Sequence, residues 1–416
     1  MFKFLFLFLI SSCSFFISRI ETPITVDESL ARKAPQIQNY CEAQERPDFQ
    51  LVGPGGNSQE VYSKFIKTLP HLDFIDHFAL WNLLQLSVRP DQSSPTSRLQ
   101  VLIHQGEKTY YFDFFSEEGA DQYPFIYGID WVLKKFNKKR TLEYYAGILN
   151  QHLGQKLKIG KDFENFLIKN IPEIKASSEL APYYFRGSDA LKENETSPAL
   201  NYKEVIKIYR AAERKQKIII NTSLTPFVTD KGNSGNCNYD FNLYDNSIFL
   251  IDKVIPIANL YGLSLSDSAF LSSSSQKLDS IRPLSGLPLF KGVSKVRSSA
   301  VCMMENNGNK IWAFSNQSRD PGQHLFHLVR YGLPQAETIA EVDKLIRHSR
   351  HLFLSDPVRL IIESGRSSQE QVENLLKLNL PIYNADKLGN IWAYTRFKDG
   401  SRFIIDDRNP GAFKCQ

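Results

Sequence analysis

Nowhere does the chain carry enough consecutive apolar residues to cross a bilayer. The longest candidate, residues 4–17, is 14 residues long even when its serines are counted, against roughly 20 for a helix that spans the hydrocarbon core. A strong excess of one charge is missing too: 50 Lys and Arg against 45 Asp and Glu leave +5 over 416 residues, which argues against a nucleic-acid partner. The one basic run, Lys134, Lys135, Lys138, Lys139 and Arg140, follows the apolar Trp131, Val132 and Leu133 and reads as the solvated face of a helix. Cysteines are few, five in all. No sequence pattern calls for a cofactor. Gly53-Pro54-Gly55-Gly56 is followed by no Lys-Ser/Thr pair, so it is not a phosphate-binding loop. Asn57 with Glu60 after it reads instead as the capped start of a helix.

What is present begins at residues 1–13, MFKFLFLFLISSC, where one lysine, an apolar run and small residues lead into a cysteine. That order is a secretory signal rather than part of a fold. Ile10-Ser11-Ser12-Cys13 resembles the lipobox of bacterial lipoproteins. The resemblance implies cleavage after residue 12, acyl chains (palmitate among them) on Cys13, and, because Ser14 is not Asp, an outer-membrane location in the cell envelope of a two-membrane bacterium. The implied partner is the membrane, through the acylated N-terminus. Two or more acyl chains, at about 0.8 kcal/mol per buried methylene, hold a protein on a bilayer.

Beyond the anchor, 42% hydrophobic and 23% charged residues describe a folded chain long enough for two domains. Residues 13–46 are polar with scattered prolines and read as a tether. Residues 47–174 carry two helical stretches broken near Pro70, a hairpin at 99–115 turning at Gln105-Gly106, and further helical runs. Residues 175–201 mix Ser, Pro and charge and suit a linker. Residues 202–416 carry helices at 202–215 and about 336–351 and hairpins at 300–314 and 391–405, with a serine-rich patch at 264–275 that interrupts the apolar pattern. The fold class expected is α+β, two domains of mixed helices and antiparallel β-hairpins. Two Gly-Asn turns feed Ile311-Trp312-Ala313-Phe314 and Ile391-Trp392-Ala393-Tyr394, as a duplicated unit or two unrelated hairpins would.

Three constellations bear on chemistry. Ser274-Ser275-Gln276-Lys277 fits the Ser-x-x-Lys pattern of penicillin-binding enzymes. However, no Ser/Tyr-x-Asn element lies between it and Lys387-Leu388-Gly389, so it reads as chance in a serine-rich stretch. His324/His327 and His348/His351 are spaced three apart, as two ligands on one helix face would be, and are weak metal candidates beside the plainer reading of solvated helix histidines. Cys237, with Asn316 downstream, faintly resembles the papain-like order, but Ser299 stands where the base belongs. His324 or His327 would have to supply the imidazole.

The expectation is therefore a lipid-anchored envelope protein with a binding or structural role. The alternative is an envelope hydrolase using Cys237 or a serine as nucleophile. In an oxidising compartment the four remaining cysteines favour disulfides. Of three pairings, Cys41 with Cys415 joins the two ends of the folded region and leaves Cys237 with Cys302. If Cys13 carries the acyl chains, Cys13→Ser moves the protein from the detergent-extracted membrane fraction to the soluble fraction; unchanged association with membranes sinks the anchor.

Overall fold

The computed structural model describes residues 22–23 and most of 49–408; short stretches are left aside, the longest being 242–256. The signal and anchor, most of the tether, the strand expected near 247–251, Cys13, Cys41 and Cys415 lie outside the described residues. No helix among the described residues is long and apolar enough to cross a membrane.

The chain is α+β, built on two stacked antiparallel sheets. Sheet I takes β1 (Phe49–Val52), β2 (Arg98–Gln105), β3 (Lys108–Phe115), β4 (Ile219–Asn221), β7 (Ile257–Leu265) and β8 (Ser268–Gln276), in the order β1-β7-β8-β2-β3-β4. Sheet II takes β5 (Thr225–Val228), β6 (Ser234–Cys237), β9 (Ser299–Asn306), β10 (Asn309–Asn316), β14 (Asn390–Phe397) and β15 (Gly400–Ile405), in the order β5-β6-β9-β10-β14-β15. The central strands are buried on both faces over most of their length, and several of them therefore read as near-continuous apolar runs, whereas the edge strand β5 is exposed at three of its four residues. On β2, Leu99, Val101 and Ile103 join a core shared with helices, while Leu102 joins the core between the sheets. On β10, Ile311 and Ala313 face helices and Trp312 and Phe314 face sheet I.

Outside sheet I lie α1 (Asn57–Ile66), α2 (Phe74–Val88), α3 (Pro124–Phe136), α4 (Leu142–His152) and α5 (Tyr202–Ala212). Helix α2 is buried along nearly its whole length. It opens with a capping box between Asp73 and Asp76, and the buried Asp76 carboxylate also accepts from Tyr145 Oη at 2.6 Å and pairs with Arg140. Helix α3 packs so closely that a Cβ on Gly128 would lie 2.6 Å from the Phe114 ring, which no real contact tolerates. The basic run at its end is spent locally: Lys134 pairs with Asp130 and Glu213, and Lys135 Nζ sits 4.7 Å from the centre of the Trp131 ring. Outside sheet II lie α6 (Pro321–Arg330), capped by Asp320, and α7 (Ile339–Arg347), capped by Thr338 with Glu341.

Several expectations change. Sheet I draws β1–β3 from residues 49–115 and β7–β8 from 257–276, so the 47–174 and 202–416 segments share one sheet, and 175–201 is itself helical and stranded. The serine patch is not an interruption: β7 and β8 form a central hairpin, and all nine residues of β8 are buried. The two Ile-Trp-Ala segments lie side by side, with Trp312 opposite Tyr394 and Phe314 opposite Trp392. One is the second strand of its hairpin and the other the first, so they are not equivalent copies.

After α7 a small sheet forms from β11 (His351–Ser355), β12 (Val358–Ile362), β13 (Ile382–Asn384) and Thr22–Pro23 of the expected tether. A buried ion cluster ties it to sheet II. Arg408 bonds Glu363 at 2.6 Å and Asp406 at 3.0 Å, Arg350 bonds Asp406 at 2.5 Å, and Asp406 also accepts from the Ile391 backbone N–H at 2.9 Å. With every member paired, removing one charge strands the others in a dry interior. Arg408→Met is expected to cost about 3–5 kcal/mol of stability, read as a lowered urea midpoint, whereas a solvated control such as Lys207→Met leaves the midpoint within experimental error.

Candidate active site

Between the sheets the core is apolar over most of its length, with Leu102, Leu271, Trp312, Phe314, Trp392 and Phe403 among its members. At one end it turns polar. The ladders decide which residues meet there. In sheet II, Ser299 pairs with Asn316 and Asn316 with Asn390, giving a row across β9, β10 and β14. In sheet I, Ser273 pairs with Gln100 and Gln100 with Asp113, giving a row across β8, β2 and β3. The two rows touch where Ser273 Oγ lies 2.6 Å from Ser299 Oγ, both side chains being buried.

The backbone carrying Ser299 is held from outside its own ladder. Asn238 Nδ2 donates to Ser299 O at 3.2 Å, and Val301 N donates to Asn238 Oδ1 at 2.8 Å. Asn238 Nδ2 also donates to Tyr111 Oη at 3.2 Å. Tyr111 Oη accepts from Gln100 Nε2 at 3.0 Å as well, and donates to Asp113 Oδ2 at 3.3 Å. Asp113 in turn holds Arg98 through both oxygens, at 2.7 and 2.6 Å, with Arg98 stacked over Phe115. Three buried carbonyl-type oxygens in the two rows, Gln100 Oε1, Asn316 Oδ1 and Asn390 Oδ1, find no donor. Orphaned buried acceptors are costly; others lie on the helix-facing side of sheet I, Asn82 Oδ1 and Gln85 Oε1 among them, and what sets these three apart is their place beside the hydroxyl pair between the sheets.

The sequence-derived candidates fall elsewhere. Cys237 is bonded to Cys302, with Cα atoms 4.2 Å apart across β6 and β9, on the helix-facing side of sheet II. It is therefore no free thiolate, and the cysteine form of the hydrolase reading ends there. The bond does fasten β6, and with it the adjacent Asn238, to the strand headed by Ser299. Ser274 points to the other face of sheet I, where its hydroxyl bonds Ser93. His324 lies on α6 with Nε2 2.7 Å from Ser318 Oγ. The His327 and His351 rings lie 4.0 Å apart, tilted by 32°, and His348 stacks on Tyr331 at 4.7 Å. Helix α7 stops at Arg347, not near 351, so His348 and His351 do not share a helix: His348 is the extended cap and His351 opens β11. The chain leaves the helix because the Arg350 backbone N–H and guanidinium are drawn into the buried ion cluster. Among the described residues no three His, Cys, Asp or Glu side chains converge as metal ligands. Nor are these histidines solvated, as expected from the sequence; His324 is buried and the others half-buried.

No protein-family model matches the chain, and no curated protein sequence matches it. Its architecture does match solved structures. A protein called LmbA2991HD superposes with a TM-score of 0.57 at 8% identity, covering 92% of this chain and 99% of that one. Cephalosporin acylase from Bacillus halodurans superposes with a TM-score of 0.53 at 8% identity, covering 90% and 97%. At such identity the likeness is one of fold. It nevertheless corrects the expectation of a binding or structural protein without catalytic apparatus, because the fold shared over nine-tenths of the chain is one that carries an acylase. What the sequence does not show is the meeting of Ser273 with Ser299: in it Ser299 and Asn316 stand out only as parts of a cysteine site. The signal available was the pair Ser298-Ser299 at the head of a hairpin.

The histidines give a measurable consequence. Burial pushes His324 and His327 well below the ordinary imidazole value, with Arg350 and Arg408 adding to the effect on His324 and His351 to that on His327. Burial, with neighbouring His348, brings His351 down to about 4. Above about 6.5 both folded and unfolded chains hold these rings neutral. Below it the unfolded chain takes up protons that the folded one refuses, so their contribution, full above 6.5, is lost as pH falls toward 4. Urea midpoints measured from pH 7 to 4.5 should decline, and His351→Gln should flatten the slope by at most about 1.4 kcal/mol per pH unit.

Proposed function

We propose that the protein is a hydrolase of amide bonds, of the acylase kind, working at the polar end between the two sheets. The nucleophile is a serine hydroxyl at the head of β9: Ser299, or Ser298 immediately before it, which lies outside the described residues. The observation that carries the reading is the buried Ser299–Ser273 hydroxyl pair inside a fold shared with an acylase. A hydroxyl placed there attacks the substrate carbonyl, the amine leaves with a proton, and water then releases the acyl group from the serine ester. Such a serine needs a base. The histidine described on the inter-sheet face, His104, bonds Thr109 and Arg396 four residues along β2 from Gln100, toward the opposite end. The alternative way to activate a chain hydroxyl is the α-amino group of its own residue, freed when the peptide bond before it opens. The backbone clamp of Asn238 on Ser299 and Val301 supports this reading, since it would hold the head of β9 in register after such a break.

The lipid anchor on Cys13 belongs to the same proposal and would place the hydrolase at the cell envelope, with the membrane as its partner through the acylated N-terminus. The test is a panel of N-acyl p-nitroanilides, run with the purified protein alongside its intact mass. Because the Cys237–Cys302 bond bridges the break, two fragments meeting at residue 297/298 or 298/299 are expected only after reduction, the unreduced protein gaining the mass of one water. Ser298→Ala or Ser299→Ala, whichever removes the true nucleophile, should lower kcat by at least about a thousandfold. Activity retained in both variants overturns the serine assignment.

A further inference from the structure

We infer that Ser294 is a positioning residue for the chain's own cleavage: its hydroxyl holds the upstream arm of the scissile bond, serving the break before the nucleophile and not the turnover that follows. This rests on the hydrolase reading above, in which that break frees the α-amino group of the nucleophile. What points to it is how the chain is held on either side of residues 295–298, which themselves lie outside the described residues.

Upstream, the short strand Leu287–Phe290 buries Phe290 against Phe166 and Tyr184, with ring centres 5.1 and 5.6 Å away, and Tyr184 Oη donates to Pro288 O at 2.6 Å. From there every residue to Ser294 is tied in turn. Lys291 N donates to Arg282 O at 2.8 Å, and Gly292 N to Thr96 Oγ1 at 3.0 Å. Val293 exchanges two backbone bonds with Lys277, at 2.9 and 3.0 Å, and Lys277 directly follows β8, the strand of Ser273. Ser294 closes the series: its Oγ accepts from Ser116 N at 2.9 Å and donates to Ser116 O at 3.4 Å, both residues being buried. Ser116 directly follows β3, the strand of Tyr111 and Asp113. The arm is therefore fastened to the ends of the same strands that build the polar rows.

Downstream, Asn238 holds the backbone of Ser299, whose hydroxyl meets Ser273. Only residues 295–298 separate the two holds, and the bond to be broken lies among them or at their end. In the self-cleavage the nucleophile's Oγ bonds to the carbonyl carbon of the residue before it, that carbon's bond to nitrogen breaks, and the hydroxyl proton passes to the freed α-amine. Water then splits the ester, leaving a carboxyl on the upstream fragment and restoring the hydroxyl. The attacked carbonyl belongs to the upstream arm, so its approach depends on the Ser294 hold as well as on the Asn238 one. Fixing both ends of a short segment removes conformations that would otherwise have to be lost on the way to attack. Once the bond is broken the arm no longer leads to the nucleophile, and an external substrate brings its own carbonyl. Asn238 thus bears on both reactions, Ser294 on the first alone.

The experiment follows the break during cell-free synthesis of the full chain under oxidising conditions, read on reducing gels, for the natural sequence, Ser294→Ala and Ser294→Thr. Ser294→Ala is expected to slow the appearance of the fragments by at least about tenfold, and Ser294→Thr, which keeps the hydroxyl, to stay within about threefold of the natural rate. Ser294→Ala protein collected after it has cleaved should hydrolyse an N-acyl p-nitroanilide with kcat and KM within about twofold of the natural enzyme. Should Ser294→Ala not fold, Thr96→Val decides: it removes the acceptor of the Gly292 N–H, two residues back along the arm, and should slow the break by about threefold or more with turnover again unchanged. Cleavage of the deciding variant at the natural rate, no rescue by threonine, or an equal loss of cleavage and turnover overturns the inference and leaves the hydrolase reading standing. A natural chain that stays whole ends the self-cleavage in that reading, and one that hydrolyses no amide ends the reading itself; either takes the inference with it.

Discussion

Two antiparallel sheets lie face to face, each buried on its other side by helices, and everything else in the molecule answers to that stacking. A strand buried on both faces has no solvent side on which to place polar residues, so each one that appears must be matched by a neighbour in its own ladder or in the facing sheet. That is why β8, Ser268–Gln276, can hold a run of serines at the centre of sheet I. Ser272 and Ser274 face the helices, whereas Ser273 reaches across to Ser299. The ladder also makes the site a consequence of register. Ser299, Asn316 and Asn390 are distant in sequence, yet neighbouring pairs put them in one row, and a slip by one residue on any strand would turn its member to the opposite face.

The polar end is ordered from outside inward. Tyr111 is the hub, with a single hydroxyl accepting from Gln100 and Asn238 and donating to Asp113. Asn238 carries that order to the backbone of β9, and the Cys237–Cys302 bond beside it keeps β6 on β9. The arrangement leaves Gln100, Asn316 and Asn390 with free acceptors in a dry place. An unsatisfied acceptor costs roughly 1–3 kcal/mol, so a donor supplied from outside the fold would be favourable at this end of the core.

Support for the opposite flank comes from the C-terminal ion cluster. Asp406 accepts from the backbone of Ile391, next to Asn390, while Glu363 accepts from Leu388 and Arg350. The start of β14, and so one end of the sheet II row, is thereby anchored to the small sheet and to α7. The apposed rings of His327 and His351 fill the space between α6 and β11 in neutral form, which ties the firmness of this flank to pH.

Local sequence determined a good deal. Apolar runs and turn chemistry marked the hairpins expected at 99–115, 300–314 and 391–405, which the structure shows with strands at 98–115, 299–316 and 390–405. The pair Asp320-Pro321 marks the start of a helix, and helical runs interspersed with hairpins mark an α+β chain. These features arise from interactions within a few residues, and such interactions are written in order along the chain. Only the tertiary structure decided the rest. Which hairpin joins which sheet, that residues 49–115 and 257–276 share one of them, and that serines from β8 and β9 meet between the sheets depend on pairings across more than a hundred residues or on contact between sheets. The end of α7 at Arg347 belongs here as well, since helical spacing continues past it while the buried charges of Glu363 and Asp406 draw Arg350 away. Periodicity reports which face of an element is buried; it carries no record of what lies against that face.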